Sequence, residues 1–323
     1  MIIDFGTADA GTSMPLMNAV VAQVRAAEGQ ATPIVIGYED QTNNDWNSVF
    51  RRVHGLLPSP VKSYMQDETN VFALAAGTSF YQACFPAQSI DVSFSATAMH
   101  WLSSVPCVLP DALHSACSED SSATVAFAAQ AAKDWAHILK LREAELKEGG
   151  QLVIVNFAKD SSGNFLGKSP RMSASMHHCF SEIWRDLVTV EEFTNTNFPN
   201  EYRSLEAQAA PFKDGTLTNM KLISADTRLV NCPFYDGFHG LSSSYSFAGD
   251  AEGHALNYVP TTRTWSNSTF LAGLDASRSE EEKHALVDEL FRRYSQRVAG
   301  SPSEHAMDYT HAYIHAEKVT PVK

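Results

Sequence analysis

The sequence has no apolar run that approaches the roughly 20 residues needed to cross a bilayer. It begins Met1-Ile2-Ile3-Asp4, without the basic region and the long apolar stretch of a secretory signal. Basic residues are also scarce, since 24 Lys and Arg stand against 37 Asp and Glu and give a net charge of -13. Because nucleic-acid recognition normally relies on a basic surface, we expect no nucleic-acid partner. We likewise expect no membrane partner and a cytoplasmic location.

The sequence also lacks patterns typical of a metal site or of a set of disulfides. The five cysteines are odd in number and include no C-x-x-C pair, which favours reduced thiols over disulfides or a zinc site. His177 and His178 are adjacent, but neighbouring residues point to different faces of a helix and no carboxylate-rich set accompanies them. We therefore expect no catalytic metal, with Mg²⁺ left as a possibility. A G-x-S-x-G nucleophile elbow is also absent.

The chain does contain a repeated alternation of short apolar runs and helical patterns, which is typical of a parallel sheet covered by helices. This pattern predicts strands at 1–5, 33–38, 90–95 and 151–157 and helices at 13–28 and 122–147. From about residue 159 the pattern changes. There we predict a helix at 172–190, an irregular stretch at 195–204, a strand at 221–230, a helix at 280–299 and a last strand at 309–319.

The turn after the first predicted strand carries a cofactor signal. Gly6 and Gly11 lie in this turn, where glycine lets the backbone approach a ligand closely. Asp4 is placed to take the ammonium of the methionine part of S-adenosylmethionine, and Asp40 ends the second strand, where it can accept hydrogen bonds from a ribose. The spacing is not G-x-G-x-x-G, so a nicotinamide-dependent oxidoreductase fits less well. The alternative to a cofactor site is that Gly6 and Gly11 form only a tight turn and that Asp40 is a solvent-exposed acid in a loop.

Three ordered segments resemble motifs of the SABATH family, the salicylic acid, benzoic acid and theobromine type methyltransferases. Residues 39–50, E-D-Q-T-N-N-D-W-N-S-V-F, are similar to the family's N-D-L-x-x-N-D-F-N-x-x-F. Residues 77–86, G-T-S-F-Y-Q-A-C-F-P, are similar to G-S-F-Y-x-x-L-F-P. Residues 95–106, S-A-T-A-M-H-W-L-S-S-V-P, are similar to S-x-x-S-L-H-W-L-S-x-V-P. Further matches follow at 143–150 and 198–204.

The resemblance implies an α/β fold of the class I methyltransferase type, with a doubly wound, mostly parallel seven-stranded sheet and a mainly helical cap. Residues 1–158 would form the Rossmann-like core that binds S-adenosylmethionine. Residues 159–280 would form the substrate-binding cap, and 281–323 the C-terminal helix and strand that complete the sheet. The expected reaction is methyl-ester formation on a small aromatic or aliphatic carboxylic acid, with S-adenosylhomocysteine as the second product. Relatives are commonly homodimers, so we expect one here.

Site residues follow from the same resemblance. Asp4 and Gly6 would lie at the methionine end of the cofactor, and Asp40 at its ribose. The other expected cofactor contacts are Gly11 and Ser95 in the core, Gln41 beside the adenine, and Ser79 and Phe80 on the adenine's far side.

For the substrate, the family's motif implies that Trp101 donates its indole N–H to the carboxylate. Indole is a donor without an acceptor, which suits an anion in an apolar pocket. His100 could add a second donor, so these two are the candidate catalytic residues. The expected remaining walls of the pocket are Met172, Met176, His177 and Phe238.

The sequence also departs from the family pattern. The family carries an S-Y-x-x-N-S-x-x-Q segment before the first strand, and its Gln is a second donor to the carboxylate. The printed sequence starts at the first strand, so we expect another element to close the site or further residues in the natural protein. The family's R-A motif is absent near Trp265. A divergent, microbial-type member fits best, and a phenolic oxygen, nitrogen or carbon acceptor, or a non-catalytic cofactor-binding member, stays open.

Overall fold

The computed structural model describes residues 1–57, 61–242, 245 and 247–320, and its centre is one seven-stranded sheet. The strands are β1 Ile2–Phe5, β2 Ile34–Asp40, β3 Val71–Gly77, β4 Ile90–Ala96, β5 Leu146–Phe157, β6 Met220–Val230 and β7 Tyr309–Lys318. Their order is β3-β2-β1-β4-β5-β7-β6, and β7 alone runs antiparallel to both of its neighbours. The predicted doubly wound, mostly parallel seven-stranded sheet is confirmed.

Helices cover the sheet and build the second layer of the molecule. They are α1 Met14–Glu28, α2 Trp46–Val53, α3 Ser121–Glu145, α4 Met176–Arg185, α5 Val190–Asn195, α6 Leu205–Ala209, α7 Pro233–Phe238, α8 Ala251–Ala272 and α9 Glu280–Gly300. In the part of the chain that the structure describes, none of them is long and apolar enough to cross a membrane.

The strand order reverses between β1 and β4, which are neighbours although β2 and β3 separate them in the sequence. Open α/β sheets bind ligands at such a switch point, beyond the carboxyl ends of the strands. The four residues of β1 are all buried, as expected for a strand covered on both faces. The loops that follow β1, β2, β3 and β4 therefore converge on one edge of the sheet.

Several predicted boundaries change. The strand β3 was not predicted, because an Ala-rich edge strand with half-exposed Phe72 and Leu74 lacks a clear alternation. The helix predicted at 122–147 ends at Glu145, since Leu146 is already extended and the glycines after it belong to β5. The helix predicted at 172–190 is shorter: α4 begins after Ser175, whose side chain accepts a hydrogen bond from the His177 N–H.

The range predicted as a cap, 159–280, contributes β6 to the sheet and α6 to the packing against it, whereas α4, α5, α7 and α8 contribute to a second apolar core. This core is dense in aromatic rings, such as the pairs Phe180–Tyr294 and Trp184–Phe270, whose centroids lie 4.9 and 5.0 Å apart. Tyr294 comes from α9, so α9 packs into the cap core while β7 joins the sheet. The three-part division of the chain stays a prediction.

Asp308 ties the cap to the start of β7. Its fully buried carboxylate accepts hydrogen bonds from Ser169 Oγ at 2.6 Å, Arg171 Nε at 2.8 Å and the Cys232 N–H at 2.8 Å. Burial alone raises the pKa of Asp308, but the hydrogen bonds from Arg171, Ser169 and Cys232 outweigh it and hold the pKa below its ordinary value of 3.8. The ionised form is therefore the one that stabilises the fold.

We predict that Asp308→Asn lowers the free energy of unfolding by about 3 kcal/mol at pH 7, because Arg171 loses its buried partner. Since the folded pKa is depressed, the wild-type advantage is fully present above pH 4 and is lost as the pH falls below it. Urea unfolding of the wild type and the variant at pH 7 and at lower pH measures the loss of stability and its dependence on pH. Asp226→Asn is the matched control, since Asp226 pairs with Arg228 on the surface and is worth less than about 1 kcal/mol. Equal losses of unfolding free energy in Asp308→Asn and Asp226→Asn would contradict the stabilising role assigned to the Asp308 carboxylate.

Candidate active site

The loop after β1 forms the floor of the site. The Gly6 N–H donates to the Glu39 carbonyl oxygen at 2.8 Å, and the Thr7 N–H donates to the same oxygen at 3.0 Å. Gly6 has a φ of 71°, and a Cβ at this position would lie 2.2 Å from the Cβ of Ala98. Glycine is therefore required here, both for the left-handed backbone and for the close approach of the loop after β4.

A cavity of about 480 Å³, called the first cavity below, opens above this floor. It is lined by Gly6, Thr7, Ala8, Thr12, Glu39, Asp40, Gln41, Thr78, Ser79, Phe80, Tyr81, Ala96, Thr97, Ala98, Trp101, Leu102 and Ser103. Five of the residues predicted to contact the cofactor, Gly6, Asp40, Gln41, Ser79 and Phe80, thus lie around one cavity. They come from three different loops at the carboxyl edge of the sheet.

Asp40 is held at the rim of the first cavity by the backbone. Its carboxylate accepts hydrogen bonds from the Ala8 N–H and from the Gln41 N–H, each at 2.8 Å. Asn44 Nδ2 donates to the Ala8 carbonyl oxygen at 2.7 Å and so fixes the same loop from the other side. The carboxylate oxygens keep further acceptor capacity, because each oxygen has two lone pairs.

Asp4, Gly11 and Ser95 do not line the first cavity. Asp4 is buried and accepts a hydrogen bond from Thr7 Oγ1 at 2.8 Å, and burial raises its pKa to about 6. Ser95 Oγ donates to the Phe5 carbonyl oxygen at 3.0 Å. The Gly11 N–H donates to Asp9 Oδ1 at 2.9 Å. All three hold the shape of the loops around the cavity, and a direct cofactor contact for them stays a prediction.

A second cavity of about 170 Å³ adjoins the first. It is lined by Thr97, His100, Trp101, Phe157, Leu166, Asn200, Tyr202, Thr261, Trp265, Met307 and Tyr309. Thr97 and Trp101 line both cavities, so the two cavities meet at these side chains. The lining side chains are mainly aromatic and aliphatic, and both predicted catalytic residues, Trp101 and His100, belong to it.

The segment that carries His100 and Trp101 is held by main-chain hydrogen bonds to two other parts of the chain. It bridges to the strand-like stretch around Asn200, with the Leu102 N–H donating to the Pro199 carbonyl oxygen at 2.7 Å. On the other side, Tyr81 Oη donates to the Trp101 carbonyl oxygen at 2.7 Å. The main chain of Trp101 is therefore fixed at the junction of the two cavities.

His100 is buried and neutral. Burial holds its pKa well below the ordinary range, and the neighbouring Arg203, His114 and His311 act in the same direction. Its ring lies edge-on to Phe157, with centroids 4.9 Å apart. A neutral imidazole carries one N–H donor, so His100 can hydrogen-bond an anion but is a weak base.

Thr97 was not recognised from the sequence. Its φ of 53° is a left-handed conformation that costs roughly 1–2 kcal/mol for a residue with a side chain, and more is expected for a β-branched one. The Thr97 N–H donates to the Val155 carbonyl oxygen at 2.7 Å, which fixes the turn after β4. Trp265 was missed as a lining residue for another reason: α8, which carries it, has Pro260 inside and was not predicted as a helix.

The structure does not bring Met172, Met176, His177 and Phe238 to either cavity. Met172 and Met176 are buried in the cap core and line a separate cavity of about 320 Å³. His177 lies behind the second cavity, where its Nε2 is 3.0 Å from Tyr202 Oη. Phe238 packs on His254, with ring centroids 5.5 Å apart. Met176 begins α4 and Met172 lies in the segment before it, and both side chains form core contacts instead of lining the second cavity.

In the ranges that the structure covers, no three His, Cys, Asp or Glu side chains come together as a ligand set.

Comparisons with known proteins agree on one family. A family model described as SAM-dependent carboxyl methyltransferase matches residues 1–204. Indole-3-acetate O-methyltransferase 1 of Arabidopsis thaliana is 26% identical over 205 residues, which cover 58% of this chain and 52% of that protein. Benzoate O-methyltransferase of Zea mays is 25% identical over 170 residues, which cover 50% of this chain and 44% of that protein. The match thus spans about half the length of these curated relatives.

Two further matches extend over nearly the whole chain. A probable S-adenosylmethionine-dependent methyltransferase of Arabidopsis thaliana is 22% identical over 327 residues, covering 95% of this chain and 80% of that protein. The solved structure of loganic acid methyltransferase with SAH superimposes with a TM-score of 0.74 at 21% identity. The superposition covers 99% of this chain and 84% of that one. At this identity the structural likeness establishes the fold. Because the family model covers more than half of the sequence, the chain belongs to the family of SAM-dependent carboxyl methyltransferases, the SABATH family that its motifs resemble.

Proposed function

We propose that this chain transfers a methyl group from S-adenosylmethionine to the carboxylate of a small aromatic or aliphatic acid and so forms a methyl ester. The observation that carries the proposal is the junction of the two cavities at Thr97 and Trp101. A methyl donor in the first cavity and an acid in the second would be in contact only at this junction. Membership of the carboxyl methyltransferase family supports the same reaction.

The first cavity fits the cofactor. Its volume of about 480 Å³ lies within the roughly 300–1,000 Å³ of small-molecule sites. Asp40 would accept hydrogen bonds from the ribose, and Gln41, Ser79 and Phe80 would flank the adenine. Gly6 lines this cavity, where its lack of a side chain would let the methionine end approach the backbone closely. When bound, S-adenosylmethionine supplies the electrophilic methyl group.

The protein's own contribution is binding, orientation and exclusion of water. A carboxyl group with a pKa near 4 is ionised at neutral pH and needs no general base. Trp101 and the neutral His100 offer N–H donors that would hold the carboxylate, and the aromatic walls keep water away. Holding two reactants in a productive geometry can lower the barrier by roughly 7–11 kcal/mol.

The second cavity favours a small acid. Its volume of about 170 Å³ is limited on one side by Trp265, which also lines a groove of about 490 Å³. Trp101 also lines both the second cavity and the groove, so the side chains of Trp101 and Trp265 lie between the two spaces. We therefore propose an acid with a single ring, or an aliphatic acid of similar size.

Other acceptors have less support. A phenol or an ammonium group must lose a proton before it can attack the methyl group. Of the side chains that line the second cavity, as far as the structure describes them, one is an imidazole and none is a carboxylate. The low pKa of His100 makes it a poor base for this step. A non-catalytic cofactor-binding protein would show binding without product.

Two expectations from the sequence remain predictions within this proposal. The homodimer follows from the resemblance, and light scattering of the purified protein would give the mass of the assembly. The cytoplasmic location is likewise a prediction.

We predict that Trp101→Phe lowers kcat/KM for the acid by about 10- to 100-fold, because a hydrogen bond to a charged group contributes roughly 1.5–3 kcal/mol. The assay uses S-adenosylmethionine labelled in its methyl group and a panel of acids, phenols and amines, with products identified by mass spectrometry. Phe keeps a six-membered aromatic ring and removes the N–H together with the second ring of the indole, and the control variant shares that loss of ring. Trp184→Phe is the matched control, since Trp184 donates to Thr196 Oγ1 in the cap core.

A label that survives mild base in every product would move the acceptor from a carboxylate to an ether, amine or carbon. Binding of the cofactor without any transfer would favour the non-catalytic alternative. Equal losses of activity in Trp101→Phe and Trp184→Phe would remove the role proposed for Trp101.

A second prediction concerns substrate size. Trp265→Leu joins the second cavity to the groove, so the ratio of kcat/KM for a two-ring acid, such as indole-3-acetate, to that for benzoate should rise at least tenfold. Leu256→Ala is the matched control on α8, because Leu256 is exposed to solvent. Steady-state rates with both acids measure the ratio. An unchanged ratio in the folded Trp265→Leu variant would show that Trp265 does not limit the pocket.

A further inference from the structure

Glu39 is a buried carboxyl group in the wall of the first cavity, and the mechanism above gives it no role. The side chain is fully buried at the end of β2, and Oε1 has no hydrogen-bond partner. Oε2 accepts one hydrogen bond, from the Gly6 N–H at 3.2 Å. A carboxylate that accepts a single long hydrogen bond away from water is poorly stabilised.

The nearest cation does not pair with Glu39. Arg142, on α3, is committed to Glu145, with Nε 2.7 Å from Oε2 and Nη2 2.9 Å from Oε1. Its other hydrogen bonds go to the carbonyl oxygens of Phe80 and Gln82 and to Cys84 Sγ. The charge of Arg142 is thus matched within its own pair, and Glu39 is left as an extra acid.

The other groups that face Glu39 do not favour its ionisation. Asp40 on the same strand and Glu145 on α3 are both acids, and the Cys84 thiol in the loop after β3 is neutral, since burial raises its pKa to about 12. Burial raises the pKa of Glu39 to about 8, although the Gly6 hydrogen bond and Arg142 act in the opposite direction. The geometry and the charges agree that the free protein holds the neutral acid.

We propose that Glu39 is a neutral carboxylic acid in the free protein and releases its proton when S-adenosylmethionine, but not S-adenosylhomocysteine, occupies the first cavity. This inference rests on the proposed function. The sulfonium of S-adenosylmethionine gives it one more positive charge than S-adenosylhomocysteine, and the two molecules are otherwise alike. A cation next to an acid in a low-dielectric wall favours the ionised form. The proton leaves the Glu39 carboxyl group for the buffer, and the carboxylate then balances the cation.

Such coupling would favour the methyl donor over the spent product. Binding and proton release are reciprocal, so a ligand that expels a proton binds more tightly as the pH rises. If the bound cation lowers the pKa of Glu39 by one unit, S-adenosylmethionine binds about tenfold more tightly above pH 8 than at pH 6. S-adenosylhomocysteine gains nothing from Glu39.

The first experiment measures the free protein. Carboxyl-¹³C glutamate labelling should give one NMR signal that titrates near pH 8 and is missing in Glu39→Gln. Gln keeps the shape of the side chain and an oxygen for the Gly6 N–H. If no glutamate of the wild-type protein titrates above pH 6.5, the inference is overturned, whatever the cofactor does.

The second experiment is calorimetry of both ligands in two buffers with different ionisation enthalpies, between pH 6.5 and 8.5. Both ligands carry the same amino and carboxyl groups, so the comparison isolates the sulfonium. The wild type should release a fraction of a proton with S-adenosylmethionine alone, and the ratio of its Kd to that of S-adenosylhomocysteine should fall by about sixfold between these two pH values. In Glu39→Gln this ratio should be flat.

Equal proton release with the two ligands, or release that persists in Glu39→Gln, would overturn the inference and leave the proposed function intact. Failure of the wild type to bind either ligand would overturn both. Even if Glu39→Gln does not fold, the comparison of the two ligands on the wild type still tests whether proton release accompanies only S-adenosylmethionine.

Discussion

A buried guanidinium holds the active-site segment in place. Arg203 donates from Nη1 to the Met99 carbonyl oxygen at 3.1 Å and from Nε to the Ala131 carbonyl oxygen at 2.9 Å. It thereby joins the segment before His100 to α3 and to the stretch that follows Tyr202. Burial lowers the pKa of Arg203 to about 10, so the side chain stays charged at neutral pH. Because Trp101 lies two residues after Met99, Arg203 acts together with the hydrogen bonds from Tyr81 and to Pro199 in positioning the junction of the two cavities.

The grouping of several expected cofactor contacts around the first cavity was predictable because these residues lie at the ends of strands. Gly6 comes after β1, Asp40 ends β2 and Gln41 follows it, and parallel strands bring their carboxyl ends to one edge. Ser79 and Phe80 were found through a motif, although the strand before them, β3, was not. The strand pattern was clear where a strand is buried on both faces, and it failed at the exposed, Ala-rich edge.

The substrate side was less predictable, and the reason is physical. Met172 and Met176 have the same apolar character and spacing whether they face a ligand or a core. In the structure both pack in the cap core, Met176 as the first residue of α4 and Met172 in the segment before it. Thr97 could not be found, because no sequence pattern signals a β-branched residue with a left-handed backbone. Trp265 was hidden because its helix tolerates a proline.

The two cavities share Thr97 and Trp101 and, among the lining residues that the structure describes, no others. Substitutions at Trp265, Met307 or Leu166 can therefore reshape the second cavity while leaving the lining of the first cavity unchanged. Under the proposed function, a lineage of such proteins would exchange one acid for another by substitutions at a few positions of the second cavity, with the first cavity inherited intact. The same partition would make the second cavity the target for directed evolution of new esters.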